Sequence, residues 1–583
     1  MAMRFLLGWA VLGVVHFSLM AAPPNVLIVI TDDQGFGDLG VHGNPVVKTP
    51  NLDAFSKQSV WLKNFYVCPV CSPTRSALLT GAYNYRTGVV DTFIGRSMMR
   101  ADCRTLAHWL GDAGYRTGLF GKWHLGDNYP LRPEDRGFQQ TLWHHGGGLA
   151  QPSDAPEVET QTAYFNPILT KNGGKVQTKG YCTDVFTDAA IDFLKASRDK
   201  PFFAYVAYNA PHAPYQVDDK LAAPYQKLDL SAGGFPKIGQ PWATGKVNTT
   251  EIAKAYAMIE NIDTNFARLM KTLADTKQAD NTIVIFLTDN GPGGVRFNGG
   301  LRNRKGTVYE GGVRVPCYIR WPGQFKPGHV VELPTAHIDI VPTLKRLCGI
   351  PNQGSVPKID GRDLSGLLKD EPTKQAPRNL YSQWHRGDAP EKFRAFMVRG
   401  EQYKLVQANN TQPAKEFTPK YELFDLSNDP YEQVDLAPIQ PEIVAKLKAD
   451  YEAWFTDVTS LGFDPIRTHI GSNKQKVTHL SRQDWRGPDA GWAPESIGHW
   501  ELHAEKTSRY SVTLHTDTPA TEMTLKCGDK EPVVVKFDAR KKSQQYTTSL
   551  NKGPFRLEAW ATVNGKRVGV NHVIVEQQAE KQQ

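Results

Sequence analysis

Three features are scarce in this 583-residue sequence, and each scarcity excludes a class of protein. Only seven residues are cysteine, at irregular spacing, which excludes the disulfide framework of small secreted domains. No large excess of one charge is present, because 68 basic and 60 acidic residues leave a net charge of +8. This balance gives no support for nucleic-acid binding but favours anionic substrates. Beyond the N-terminus, no apolar run approaches the roughly 20 residues of a membrane span.

The N-terminus has the pattern of an export signal. Arg4 precedes an apolar run from Phe5 to Val15, and the small residues Ala21 and Ala22 stand before Pro23. This order predicts a secretory signal over residues 1–22 and an exported protein, periplasmic or extracellular. The apolar run is too short for a stable membrane span, although an uncleaved anchor is left open.

Two apolar runs are each followed by acidic or amide side chains, which we call the polar tips of the runs. Residues 26–30 and 283–287 read as buried parallel strands, and they are followed by Asp32, Asp33, Asp289 and Asn290. Helical and strand-like segments alternate between them, which predicts an α/β fold with a large, mostly parallel sheet flanked by helices. In such sheets the carboxyl ends of the strands share one crevice, so we expect both tips to face it.

The pattern changes twice after this region. Short alternating runs followed by a helical segment predict a small antiparallel-sheet α+β subdomain, and the strand-rich end of the chain predicts a C-terminal β-sandwich-like domain. The predicted organisation is a signal at 1–22, a catalytic α/β domain at 23–374, the subdomain at 375–465, a linker at 466–498 and the β-domain at 499–577.

The four polar tip residues offer three carboxylates and one amide oxygen. These are hard donors, and no cluster of Cys and His typical of zinc lies near them, so the set suits Ca²⁺ or Mg²⁺. Taken singly, an Asp after a strand is more often a turn residue or a helix cap. The repetition of the pattern favours the metal site.

The stretch CSPTRSALLTG places Cys71 at the start of a predicted helix. Pro73 fits the first turn, and the partial positive charge of a helix N-terminus favours a bound anion or a thiolate. Cys68 precedes it with C-x-x-C spacing, so a redox pair and a buried structural cysteine are alternatives that spacing alone leaves open.

The same stretch resembles the signature of type I sulfatases, C-x-P-x-R followed by Thr-Gly. It matches at Cys71, Pro73, Arg75, Thr80 and Gly81. The resemblance implies an alkaline phosphatase-like fold, one Ca²⁺, and oxidation of Cys71 to Cα-formylglycine by a formylglycine-generating enzyme or an equivalent maturase. The aldehyde hydrate is then the nucleophile: one hydroxyl attacks sulfur, and the other, once deprotonated, expels sulfate.

Other motifs match the family one by one and imply roles. The implied metal ligands are Asp32, Asp33, Asp289, Asn290 and residue 71, and the implied catalytic residues are Asp33 as base, His212 as acid, Lys122 and Lys305 on the sulfate, and Arg75 and His124 on the hydrate. A serine that assists in some members has no clear match, and Ser153 is the candidate.

The resemblance implies a secreted sulfatase, a sulfuric ester hydrolase acting on an aryl sulfate or a sulfated glycan. Two alternatives remain: a phosphate or phosphonate ester hydrolase of the same superfamily, and an inactive glycan-binding protein. The absence of an assignable second-metal set disfavours the first. The presence of every main candidate residue disfavours the second. Neither nucleic acid nor a membrane is an expected partner.

Overall fold

The structure is a computed structural model that describes residues 22–153, 162–242, 247–351, 356–372, 374–409, 411–412 and 416–578. The predicted signal at 1–22, apart from its last residue, lies outside the described residues. Within the described ranges, no helix combines the length and apolar character that a bilayer span requires.

A ten-stranded sheet forms the centre of the molecule. The strands of the chain up to residue 336 are β1 (Asn25–Thr31), β2 (Val60–Leu62), β3 (Phe65–Tyr66), β4 (Arg116–Lys122), β5 (Gln140–His144), β6 (Ile168–Lys171), β7 (Gly174–Gln177), β8 (Phe202–Ala207), β9 (Thr282–Thr288), β10 (Cys317–Arg320), β11 (Val330–Val331) and β12 (Thr335–Ala336). The order in the large sheet is β11-β2-β10-β9-β1-β8-β4-β5-β6-β7, while β3 and β12 form a separate pair.

The five central strands, β9-β1-β8-β4-β5, are all parallel. The sequence of β1 is continuously apolar because both faces of the strand are buried. Leu27 and Val29 pack in the core on one face of the sheet, and Val26 and Ile28 pack in the core on the other. Because β1 and β9 are adjacent and in register up to Thr31 and Thr288, their polar tips emerge side by side. The predicted mostly parallel sheet is confirmed.

Helices cover both faces of this sheet. They are α1 (Pro50–Lys57), α2 (Cys71–Thr80), α3 (Leu106–Asp112), α4 (Cys182–Ala196), α5 (Asp219–Gln226), α6 (Thr249–Asp275), α7 (Glu310–Val313), α8 (Ile340–Leu347) and α9 (Ser365–Leu368). Every residue of α2 is buried, and the helix ends at Gly81, whose left-handed backbone (φ 73°) favours glycine. The N-terminus of α2 is therefore fixed by its surroundings.

A small antiparallel sheet follows, as the sequence predicts. It contains β13 (Leu380–Gln383), β14 (Phe396–Arg399), β15 (Tyr403–Gln407) and β16 (Glu422–Asp425), and α10 (Pro441–Val458) packs on it. Phe396 of the sheet stacks on Tyr451 of the helix with 3.8 Å between ring centroids. The hydrophobic core of this subdomain also contains Tyr85 and Ile338 of the preceding domain, so the two parts pack around one shared core.

The C-terminal strands form an eight-stranded, largely antiparallel sheet around a separate core. They are β17 (Thr468–Ile470), β18 (Val477–Ser481), β19 (His499–Ala504), β20 (Ser508–Cys527), β21 (Val533–Leu550), β22 (Gly553–Val563), β23 (Lys566–Gly569) and β24 (His572–Gln577). The structure differs from the predicted linker at 466–498, because β17 and β18 lie within it. They pair with β19 and β24, partners that a local sequence pattern does not reveal.

Candidate active site

The two polar tips contact each other at the carboxyl edge of the central sheet. The backbone N–H of Asp33 donates to Oδ1 of Asp289 (3.2 Å), and Nδ2 of Asn290 donates to Oδ1 of Asp33 (2.8 Å). Asp33 has a left-handed backbone (φ 62°), a strained conformation for a residue other than glycine. Burial and the charge of Asp32 raise the pKa of Asp289 to about 6.

Cys71 lies against the first of these tips. The helix begins at Cys71 itself, and Sγ donates to Oδ1 of Asp32 (3.3 Å). Burial raises the pKa of this thiol, so the unmodified side chain is not a thiolate. Cys68 is also a free thiol, near the His337 ring (3.5 Å), and no disulfide joins the two. The two thiols therefore have different surroundings: Cys71 faces the charged cluster, whereas Cys68 faces the His337 ring.

Two lysines reach the same carboxylates from different segments. Nζ of Lys122, at the end of β4, lies 2.5 Å from Oδ2 of Asp32, and Nζ of Lys305 lies 2.6 Å from Oδ1 of Asp33 and 3.4 Å from Sγ of Cys71. Burial would raise the pKa of Asp33, but the ammonium of Lys305, together with His212 and the hydrogen bond from Asn290, lowers it well below its usual value. Cys71 is thus surrounded by closely spaced opposite charges.

Arg75 connects three segments beneath this cluster. Its guanidinium binds Oδ2 of Asp289 (Nη2, 2.8 Å) and donates to the carbonyl oxygen of Lys122 (3.2 Å). Both members of the Arg75–Asp289 pair are fully buried. The planar fork of the arginine therefore fixes strands β4 and β9 relative to α2.

The two histidines differ in their surroundings. Nδ1 of His212 donates to the carbonyl oxygen of Ala213 (2.5 Å), which leaves Nε2 facing Oδ2 of Asp33 at 3.8 Å. Burial and the charge of Lys305 lower the pKa of His212 to about 3, so the ring is neutral here. His124 has a left-handed backbone (φ 60°) and donates from Nε2 to the carbonyl oxygen of Thr92 (2.7 Å).

The donor atoms at this edge fit a hard divalent cation. One potential ligand atom each of Asp32, Asp33, Cys71 and His212 lies within 4.8 Å of the others. Oδ1 of Asn290 is buried and has no hydrogen-bond partner among the described residues, an acceptor that a cation would satisfy. Asp289 stands outside this tight group but touches it through the backbone of Asp33.

Comparison with known proteins decides the family. A family model described as Sulfatase matches residues 24–350, more than half of the chain, and one described as N-sulphoglucosamine sulphohydrolase, C-terminal, matches residues 303–454. The chain belongs to the sulfatase family. It is a type I sulfatase of the alkaline phosphatase superfamily and a sulfuric ester hydrolase.

Several relatives of this sulfatase align over most of their length. It is 30% identical to arylsulfatase A of Homo sapiens, over 74% of this chain and 87% of the human protein. It is 28% identical to N-acetylgalactosamine-6-sulfatase of Canis lupus familiaris, over 74% and 86%. Its fold is similar to the crystal structure of Ps i-CgsB in complex with k-i-k-neocarrahexaose (TM-score 0.63, 28% identity, 76% of this chain and 95% of that chain).

Sequence reasoning missed Gln151 in this sulfatase. A Cβ added to Gly147 would lie 2.6 Å from the His124 ring, and one added to Gly148 would lie 3.2 Å from Nδ1 of His212. The loop can pass both histidines only because these residues have no side chain. It places the amide of Gln151 beside them, with Oε1 buried and unpartnered among the described atoms. The run of three glycines was the available signal.

Ser153, the candidate for the assisting serine, lies elsewhere. It packs against Gly146, at the wall of a cavity that Asp127 and His144 also line. The sequence of this loop diverges from the family motif, and the structure shows that Gln151 rather than Ser153 lies next to His124 and His212.

Proposed function

We propose that this sulfatase is exported and removes sulfate from a sulfated glycan, with formylglycine at position 71 as nucleophile and one Ca²⁺ beside it. The single observation that carries the proposal is the position of Cys71: its Sγ, which marks the place of the nucleophilic oxygen, lies between the Asp32 carboxylate and the Lys305 ammonium. An oxygen nucleophile there meets an anionic sulfate only if positive charge offsets the repulsion.

The cation would be held by Asp32, Asp33, Asp289 and Asn290, together with residue 71. Its contribution when bound is Lewis-acid polarisation of a sulfate oxygen and stabilisation of the charged form of the nucleophile. Lys122 and Lys305 add two further positive charges, and their ammonium groups are positioned to bind sulfate oxygens that gain charge as the ester bond breaks.

Proton transfer is assigned to two side chains at the mouth of the cluster. Asp33 accepts a proton from the nucleophilic hydroxyl of residue 71 as the oxygen–sulfur bond forms. His212 is neutral in the structure, so Nε2 first takes a proton from water and then gives it to the leaving alcohol as the ester bond breaks. The Asp33 carboxylate, 3.8 Å from Nε2, would stabilise the imidazolium that forms. Arg75 holds Asp289 in place rather than reacting.

Surroundings beyond the cluster support an extended anionic substrate. A cavity of about 610 Å³ borders the site, and Tyr215, Lys254 and Arg304 line it. Gly293, also in its wall, would contact Asp33 if it carried a Cβ, so this wall of the cavity adjoins the Asp33 carboxylate. The oligosaccharide in the Ps i-CgsB structure adds support for a glycan.

One experiment tests the proposal directly. The native enzyme would be digested, and the peptide containing Cys71 analysed by mass spectrometry and by reaction with a hydrazide that labels aldehydes. Sulfate and phosphate release from matched aryl esters and sulfated sugars would then be measured before and after chelation of Ca²⁺. We expect an aldehyde, faster sulfate than phosphate release, and restoration of activity by Ca²⁺. A thiol at position 71 in fully active enzyme contradicts it.

A further inference from the structure

We propose that Phe93, Arg386 and Trp492 form a carbohydrate subsite that binds the sugar unit next to the one from which sulfate is removed. The inference rests on the proposed function, since it takes the substrate to be a sulfated glycan. It also assigns a role to the C-terminal part of the chain, which supplies Trp492.

The subsite adjoins the reaction centre on two sides. Phe93 directly follows Thr92, whose carbonyl oxygen accepts the hydrogen bond from Nε2 of His124. On the other side, Trp384 lies 3.3 Å from where Gly306 would carry a Cβ, and Gly306 directly follows Lys305. This surface therefore adjoins His124 through the backbone of Thr92, and Lys305 through Trp384.

An aromatic surface is exposed at this place. The rings of Phe93 and Trp492 pack edge to face with centroids 5.2 Å apart, and Trp492 is 36% exposed, unusual for so large an apolar side chain. The guanidinium of Arg386 lies over Phe93 at 4.4 Å and over Trp384 at 5.1 Å. Exposed aromatic rings beside a polar group suit a ligand with an apolar face and hydroxyl groups, as a pyranose ring has.

The charge at this surface suits an anionic sugar. Nη1 of Arg386 is fixed by Oδ1 of the fully buried Asp91 (2.7 Å), yet the arginine side chain stays 27% exposed. Arg96 contacts the same Asp91 carboxylate (3.8 Å). Both hydrogen bonds of Arg386 to described side chains use Nη1, so the rest of its partly exposed guanidinium can bind a sulfate or carboxylate on the neighbouring unit.

Trp492 belongs to the segment between β18 and β19, which is anchored to the loop that carries Phe93. Gly95 donates from its backbone N–H to the carbonyl oxygen of Gln483 (2.8 Å), and Nη2 of Arg486 donates to the carbonyl oxygen of Gly95 (2.6 Å). The C-terminal sheet therefore presents Trp492 at a fixed position beside Phe93. A subsite built from both parts of the chain requires such fixation.

The test compares substrates with and without a neighbouring sugar. Trp492→Ala and Phe93→Leu would be compared with Trp560→Ala, a control at a half-buried tryptophan of β22 on which Arg567 stacks. The substrates are an aryl sulfate and a panel of sulfated hexasaccharides that includes k-i-k-neocarrahexaose. We expect kcat/KM for the best hexasaccharide to fall about ten-fold in the two subsite variants, with the aryl sulfate changed less than about two-fold. The control should match the parent on both substrates.

A binding measurement separates this proposal from the proposed function. Calorimetric titration of the same hexasaccharides into Cys71→Ala enzyme, with and without Trp492→Ala, requires no turnover. Binding that weakens about ten-fold on loss of Trp492 supports the subsite even if the native enzyme releases no sulfate, in which case only the proposed function fails. Equal losses on aryl and glycan substrates, unchanged glycan turnover and binding, or no binding of any hexasaccharide overturn the subsite.

Discussion

Two clusters of buried charge in this molecule are similar in composition, since each pairs lysines with carboxylates, but they differ in their access to solvent. The catalytic cluster consists of Asp32, Asp33, Asp289, Lys122 and Lys305. The junction cluster, where the small sheet meets α7, consists of Lys404, Glu310 and Glu432, with Nζ of Lys404 2.8 Å and 2.9 Å from the two glutamates. All three junction side chains are at most 1% exposed.

The catalytic cluster is open to solvent, and its bonding is incomplete. Lys305 and His212 keep 21% and 14% of their side chains exposed, and Oδ1 of Asn290 has no hydrogen-bond partner among the described residues. The junction cluster is closed, and Tyr66 also donates to Glu310. Buried charge alone therefore does not indicate catalysis. Access from solvent, together with ligand atoms of several side chains that converge on one point, does.

The largest expected effect comes from Cys71→Ala. Because this change removes the nucleophile in either oxidation state, sulfate release should fall by at least about four orders of magnitude. The side chain removed is small, so the midpoint of thermal unfolding should change by only a few degrees. Sulfate release and calorimetry on the same sample check both. Retention of more than a trace of activity would place the reaction elsewhere.

The second-largest expected effect comes from Lys305→Ala in the catalytic cluster. Loss of one positive charge from the sulfate-binding surface should lower kcat/KM by about 10²–10³-fold, because this charge acts on oxygens that become more negative in the transition state. The side chain is partly exposed, so stability should change little. Steady-state kinetics and thermal unfolding measure the two. A loss of stability with unchanged kinetics would make Lys305 a structural residue.

Lys404→Met in the junction cluster should lower stability and leave catalysis unchanged, which is the opposite of the result expected for Lys305→Ala. It leaves Glu432 buried without its cation, while Glu310 keeps only the more distant Arg314 (3.8 Å), and removing one partner of a buried ion pair costs about 3–5 kcal/mol. The thermal midpoint should fall by several degrees, while kcat measured well below it stays near that of the parent. Chemical denaturation with an activity assay at low temperature checks this. A drop in kcat with unchanged stability would remove the distinction between the clusters.

The smallest expected effect is a change in pH dependence. Burial raises the pKa of Glu432 from 4.5 to about 7, so the folded state binds this proton more tightly than the unfolded chain. The resulting stability is fully present below pH 4.5 and is lost as pH rises through 7. Glu432→Gln cannot titrate, so its loss of stability between pH 5 and pH 8 should be smaller than that of the parent. Denaturation midpoints of both proteins at pH 5 and pH 8 measure this difference. If the parent and Glu432→Gln lose the same stability between the two pH values, Glu432 is not the titrating group.

The central fold could be predicted because its signals are local. A five-residue apolar run that ends in two polar residues specifies a buried parallel strand, and Val26–Ile30 and Ile283–Leu287 both form one. The neighbouring positions of Asp33 and Asp289 follow from adjacent parallel strands. The motif around Cys71 then pointed to the remaining residues, and the structure brings Lys122, Lys305 and His212 to the same edge.

The rest depends on contacts between distant parts of the chain. Strands β17 and β18 are too short to be recognised alone and form only because β19 and β24 pair with them. Gln151 carries no signal of its own, since only the folded loop places it beside two histidines. The left-handed backbones of Asp33 and His124 are equally invisible in the sequence, because their neighbours impose them.

The carbonyl oxygen of Thr92 accepts hydrogen bonds both from His124 and from Gln483, which stands 391 positions further along the chain. A truncated enzyme that ends near residue 465 would keep both matched family segments and still lose one of these two donors. Water would then replace Gln483 at the carbonyl oxygen of Thr92. The loop that accepts the hydrogen bond of the His124 imidazole would have lost its second donor. The support of the His124 ring therefore depends in part on a segment that lies outside the matched family segments.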